Sequence, residues 1–240
     1  MLPLSSRSLI KTVRWRRKTQ LEFTLGCHTA VPAVVYMSYP RTQEDDMTGT
    51  TRIPAAEITG FKGALIKRFA KKTLGQVPSS LGVYWHNQKV LMSMASIGGK
   101  LKKWDACDKQ LKSFAHMAVA AQVGCSWCLD FNYFEANNLN LDVEKAREIP
   151  RWRESAVFSP LERQVLEYAE AMTVTPPSVT DEMVARLRNQ LGDAALLELS
   201  AVIAFANFTT RSNVALGIES DGFAAACGLK PLAQSATVGS

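Results

Sequence analysis

The chain lacks the signals of several common enzyme and binding classes. It has no Gly-rich phosphate loop and no dinucleotide fingerprint. Histidine is scarce, three residues in 240. No apolar run reaches the roughly 18–20 residues of a membrane-spanning helix. The longest, over 194–208, is broken by Glu198, Ser200 and Asn207. Beyond residue 47 no segment alternates strictly between apolar and polar residues, so the strand signal is missing. The five cysteines are an odd number with one tight pair, which does not suit a secreted disulfide framework. They suit a reducing compartment, and the expected location is cytoplasmic.

What is present is an ordinary globular balance, 47% hydrophobic and 21% charged. The length allows one large domain, or one domain plus an extension. The net charge of +6 is unevenly spread. Residues 1–46 hold seven Lys/Arg against four Asp/Glu, residues 47–103 ten against one, and residues 104–240 eleven against seventeen. No nucleic-acid motif accompanies the basic excess, so it reads as a solvated helix face plus a basic tail. Neither nucleic acid nor membrane is expected as a partner.

Residues 1–46 differ from the rest. "MLPLSSRSLIKTVRWRRKTQ" carries six basic and no acidic residues, as organelle transit peptides do. The alternative is translation starting at Met47, and this is the favoured reading. The extension 1–46 is expected to be disordered or foreign to the native protein, and residues 47–240 to form the domain.

From Met47 the chain reads as helices. In "PAAEITGFKGALIKRFAKKTLG", Leu65, Ile66, Phe69 and Leu74 share a stripe that ends at Gly75. "HNQKVLMSMASIGGKLKKW" is a helix capped by Asn87. "DACDKQLKSFAHMAVAAQVG" is another, with Asp105 or Asp108 as cap and Gly124 as interruption. The next begins at Cys125 and Cys128 and runs to about Asn138. "LDVEKAREIP" is short and closes at Pro150. Ser159, Pro160 and Glu162 form a capping-box pattern. "TDEMVARLRNQLG" and the long apolar "DAALLELSAVIAFANFTTRSNVALG" complete an all-α domain.

The chemistry sits in "VGCSWCLDFNYFE", residues 123–135. A Cys-x-x-Cys at a helix start has a physical logic. The unsatisfied first-turn N–H groups stabilise a thiolate and lower its pKa from about 8.5 towards 7. Three-residue spacing puts both sulfurs on one face, within disulfide reach, so one thiol can resolve a mixed disulfide formed at the other. A thioredoxin-like reading needs a βαβ setting, which is absent. A zinc site needs two more ligands, and Cys27, His28, Cys107 and His116 make no second tight pair. Redox work is favoured over a zinc half-site and over two buried thiols packed as small apolar groups.

"SFAHMAVAAQVGCSWCLDFNYFEANN", "PLERQVLEYAEAMT" and "LSAVIAFANFTTRSNVALGI" resemble the carboxymuconolactone decarboxylase superfamily, most closely its alkylhydroperoxidase-D-like (AhpD-like) branch. The resemblance covers roughly residues 50–230. It implies an AhpD-like helical bundle, assembled as trimers or hexamers, and a pair that cycles between dithiol and disulfide. It implies reduction of a peroxide or disulfide, with electrons from a lipoyl-type dithiol protein or another thiol donor. No metal or other cofactor is implied.

The sequence departs from the family pattern in two places. The pattern has a Glu twelve residues before the first Cys, where this chain has Ser113. It has a His four residues after the second Cys, where this chain has Asn132. His116, three residues after Ser113, is the candidate replacement base; the alternative is a core histidine. Helix-dipole logic favours Cys125 as nucleophile, and the resemblance favours Cys128. Trp127 covers the site, anchors a substrate, or packs on a neighbouring subunit. Asp130 reads as a solvated acid. Cys107 and Cys227 read as structural thiols, and His86 as a surface or cap residue. Arg211 and Asn213, polar in an apolar helix, suggest an interface network or a pocket wall. The reading is thus a thiol-dependent peroxide or disulfide reductase using Cys125, Cys128 and His116, supported by Ser113, Asn132 and Trp127. The rivals are a lyase or isomerase of the decarboxylase kind with incidental cysteines, and a non-catalytic assembly protein.

Overall fold

The computed structural model describes residues 51–234. The extension 1–46, with Cys27 and His28, lies outside the described residues. Ten α-helices occur among them: α1 (Gly60–Leu74), α2 (Ser79–Trp85), α3 (Gln88–Leu101), α4 (Lys109–Val123), α5 (Ser126–Asn138), α6 (Val143–Glu148), α7 (Pro160–Thr173), α8 (Asp181–Leu191), α9 (Asp193–Leu216) and α10 (Phe223–Ala226). A 3-10 turn, Ile149–Arg151, follows α6. The described residues contain no strand.

The helix starts follow local chemistry. Asp108, not Asp105, caps α4 by accepting from Gln110 N and Leu111 N at 2.9 and 3.1 Å. Asn87 accepts from Val90 N at the start of α3. Ser159 and Glu162 close a reciprocal capping box on α7. Gly124 ends α4 at φ 78°, a left-handed conformation that costs a side-chain-bearing residue energy. The chain then reverses directly into α5.

The core is built on α4, which packs against α5, α7 and α9. Phe114, Ala115, Met117 and Val119 of α4 are fully enclosed, with Val165 and Leu166 of α7 and Leu199 and Ile203 of α9. By length and composition α9 meets the threshold for crossing a membrane, despite its polar residues. Here it is a core helix, and its buried Glu198 pairs with Lys112 of α4. Burial alone would push the Glu198 carboxyl up. The Lys112 ammonium and the Ala106 and Cys107 backbone N–H groups outweigh it, and the net shift is downward.

The N-terminal arm departs from the expected packing. The stripe on α1 does not face the core, because Leu65 and Phe69 are exposed and Gly63 and Ala70 are buried instead. No residue of α3 is buried. Only α2, absent from the sequence expectations, is well enclosed, through Ser80, Leu81, Gly82 and Val83. Arg52 ties the arm to the end of α9 through the Val214 and Ala215 carbonyls.

Candidate redox site

Cys125 and Cys128 form a disulfide at the start of α5, with Cα atoms 5.3 Å apart. Cys125 is the N-cap, and its sulfur accepts from Cys128 N at 3.2 Å. One sulfur therefore faces the positive end of the helix dipole. Both cysteines are enclosed, 1% and 2% exposed, beside Ala120 of α4 with Trp127 and Leu129 against them.

Cys128 has a separate polar partner. Asn213 of α9 donates from Nδ2 to Cys128 Sγ at 3.3 Å. The Tyr84 hydroxyl of α2 donates to Asn213 Oδ1 at 2.8 Å. Asn213 therefore lines the pair. Tyr84 was missing from the sequence expectations. The signal available was the buried amide itself, because an Asn inside an apolar helix needs partners for both ends.

The two positions that depart from the family pattern are also placed. Asn132 donates to the Cys128 carbonyl at 2.7 Å, one turn back along α5, and not to a sulfur. Ser113 and His116 lie on the Ala120 face of α4, both half-buried. His116 is one turn, about 6 Å, along the axis from Ala120. Among the described residues no hydrogen bond joins it to either sulfur. Burial, and then the Lys102 ammonium, push its pKa down from 6.5 to about 4. Lys102 itself pairs with Glu135 of α5. His116 is thus a neutral ring beside the oxidised pair.

Trp127 is packed within the chain. Its ring stacks on Phe131 at 4.9 Å and meets Phe223 edge-on at 6.1 Å. Its Nε1 donates to Asp221 Oδ2 at 2.7 Å, and Asp221 also accepts from Ser79 N at the start of α2. Asp130 is not a solvated acid. It is buried and accepts from Ser220 Oγ, Phe223 N and Ala224 N, each at 2.8 Å, so it caps α10. The sequence hides this role because the cap and its helix are some ninety residues apart.

The remaining candidates lie elsewhere. Burial pushes the Cys107 thiol up to about 11, which keeps it protonated and inert. Cys227 is half-buried just after α10. His86 is exposed at the end of α2, its Nε2 on the Pro54 carbonyl at 2.8 Å. Arg211 turns away from the pair to the Thr173 carbonyl. A groove of about 460 Å³ beside it, lined by Met172, Val174 and Asn207 among others, does not reach the sulfurs. No group of three or more metal-binding side chains is gathered among the described residues.

Comparison with known proteins gives the family and the fold. The profile of the carboxymuconolactone decarboxylase family matches residues 89–171, from α3 to α7. The uncharacterized protein YnjA of Escherichia coli strain K12 is 33% identical over 126 residues, 52% of this chain and 69% of the relative. Among solved structures, an alkylhydroperoxidase AhpD core protein from Ralstonia eutropha JMP134 superposes with a TM-score of 0.62. It is 18% identical, over 73% of this chain and 95% of that one. The debrominase Bmp8, in complex with 2,3,4-tribromopyrrole, superposes with a TM-score of 0.63 at 18% identity, over 74% and 97%. The chain belongs to the carboxymuconolactone decarboxylase family, and its fold is the AhpD-like one of that superfamily.

Proposed function

We propose that this protein is a thiol-dependent reductase of peroxides or disulfides, with Cys125 and Cys128 as its working dithiol. The observation that carries the reading is the Cys125–Cys128 disulfide seated on the first turn of α5. The fold alone does not choose the acceptor, since Bmp8 is described as a debrominase.

The chemistry balances with a hydroperoxide. The Cys128 thiolate attacks the outer oxygen, the O–O bond breaks, and the alkoxide leaves and takes a proton. Cys128 becomes a sulfenic acid. The Cys125 thiol then attacks that sulfur, the disulfide forms and water leaves. An external dithiol, such as a lipoyl-type dithiol protein, returns two electrons and two protons by exchange. Cys128 is the attacking sulfur on family resemblance, and Cys125 resolves. His116 contributes as a neutral neighbour on α4, Ser113 and Asn132 as polar spacers, and Trp127 as the cover of the pair. No cofactor takes part. The setting this chemistry suits is the reducing cytoplasm.

Exposed apolar side chains support self-assembly. Phe61, Leu65 and Phe69, at successive turns of α1, are more than half exposed, as are Met92 on α3 and Leu197 on α9. A homotrimer or homohexamer, as the family resemblance implies, would cover them.

The test is turnover of cumene hydroperoxide, and separately of a small disulfide, with reduced dihydrolipoamide as donor. Cys125→Ser and Cys128→Ser should each lower turnover by at least about 100-fold, a range consistent with loss of a nucleophile or its partner. Turnover retained in both variants would transfer the reading to a lyase or isomerase with incidental cysteines.

A further inference from the structure

We infer that Asn213, oriented by Tyr84, is the group that activates Cys128 in this chain. The inference rests on the reading of the pair as a redox dithiol and names what replaces the absent histidine.

Asn213 lies in the last turn of α9, where Gly217 at φ 67° closes the helix onto the Asn213 carbonyl. Its backbone is fixed, and its side chain is 4% exposed. Packing alone calls for a leucine at such a position. The amide instead divides its two ends between two elements: Nδ2 on Cys128 Sγ of α5, and Oδ1 under the Tyr84 hydroxyl of α2. The phenol fixes which end of the amide faces the sulfur. Without it the amide can turn, and Oδ1 would meet the sulfur as a repelling lone pair.

A donor on sulfur discriminates between charge states. An N–H group binds an anionic thiolate more strongly than a neutral thiol or a disulfide sulfur. Asn213 thereby favours ionisation of reduced Cys128 and stabilises the dithiol state relative to the disulfide. It accepts no proton itself. Asn213 touches a reacting atom and is catalytic. Tyr84 acts through it and is a positioning residue.

The surrounding charges leave this task to the amide. On α4, His116 is neutral. On α5, Glu135 is engaged by Lys102 and Asp130 by the start of α10. Asp221 holds Trp127 and Ser79 N. Arg52 is spent on the carbonyls at the end of α9, and His86 on Pro54. On α2, burial raises the Tyr84 phenol above its ordinary value, partly offset by Ser212, so it stays a donor. Cys125 has its own donor, the Cys128 N–H, so the two sulfurs are controlled separately.

The experiment is iodoacetamide alkylation of the reduced full chain against pH, resolved by peptide mass spectrometry. Wild type, Asn213→Leu and Tyr84→Phe are compared. The Cys128 midpoint should rise by about one unit in Asn213→Leu and about half a unit in Tyr84→Phe, the scale of one charge-assisted hydrogen bond. The Cys125 midpoint should move less. Tyr84→Phe keeps the ring and so keeps the test valid if Asn213→Leu does not fold. A Cys128 midpoint unchanged within about 0.2 units in Tyr84→Phe and any folded Asn213→Leu overturns the inference, because losing a hydrogen bond to the charged form moves a pKa by more than that. Hydroperoxide consumption by the same proteins separates the two claims. Shifted midpoints without wild-type consumption of peroxide or disulfide support the activation and sink the proposed reductase. Wild-type consumption with unchanged midpoints does the reverse.

Discussion

His116 shows how burial changes what a residue can do. Its type and position on α4 suggest a base, but its enclosure and Lys102 hold it near pKa 4. That depression has a consequence for stability. Between pH 6.5 and 4 the unfolded chain binds a proton at this ring and the native chain does not, so stability falls as pH falls through that interval. The expected loss is about 2 kcal/mol between pH 7 and pH 5. Urea unfolding at pH 7 and pH 5 checks it: His116→Gln should lose less stability over that step than wild type. An equal loss would show that the ring is not held neutral. Glu198 acts in the same direction at lower pH. Its depressed carboxyl contributes stability above the ordinary carboxylate pKa, and that contribution disappears as pH falls through the folded value.

At the scale of elements, the proposed site rests on the α4–α5 hairpin with its α10 buttress. Asp130 accepts two backbone N–H groups at the start of α10, and Phe223 of that helix packs edge-on against Trp127. Asp130→Ala leaves those buried donors without acceptors and should cost about 2–4 kcal/mol. It should also loosen Trp127, so that dithiothreitol reduces the Cys125–Cys128 disulfide several-fold faster. An unchanged melting temperature and an unchanged reduction rate would show that the cap does not support the site. Helices α3, α4 and α7 were legible in the sequence because their caps are local: Asn87, Asp108 and the Ser159–Glu162 box each act within three residues. The pair was legible for the same reason. Asn213, Tyr84 and Asp130 act across 85 to 129 residues, and no local pattern announces such a contact. The placement of Asn132 was hidden for a related reason. In a helix its amide reaches the carbonyl one turn back, and the sulfur is left to α9.

At the scale of the molecule, the all-α class follows from helical periodicity and the missing alternation, and the core on α4, α7 and α9 agrees with it. The periodicity of α1 misleads about direction. An amphipathic stripe shows that a face is to be covered, and it does not say by what. Leu65 and Phe69 are exposed in the single chain, and their coverage by other copies belongs to the proposal. Sedimentation equilibrium should give a trimer or hexamer, and Phe69→Glu should shift it towards monomer. A monomeric wild type would contradict assembly through this face.

The most direct measurement is a single turnover. Reduced protein is mixed with one equivalent of cumene hydroperoxide in the absence of donor, and both products are counted. One cumyl alcohol should form for every two thiols lost, with the loss confined to Cys125 and Cys128 and recovered as their mutual disulfide. Peroxide that persists beside two intact thiols, together with a small disulfide that is likewise untouched, would contradict it.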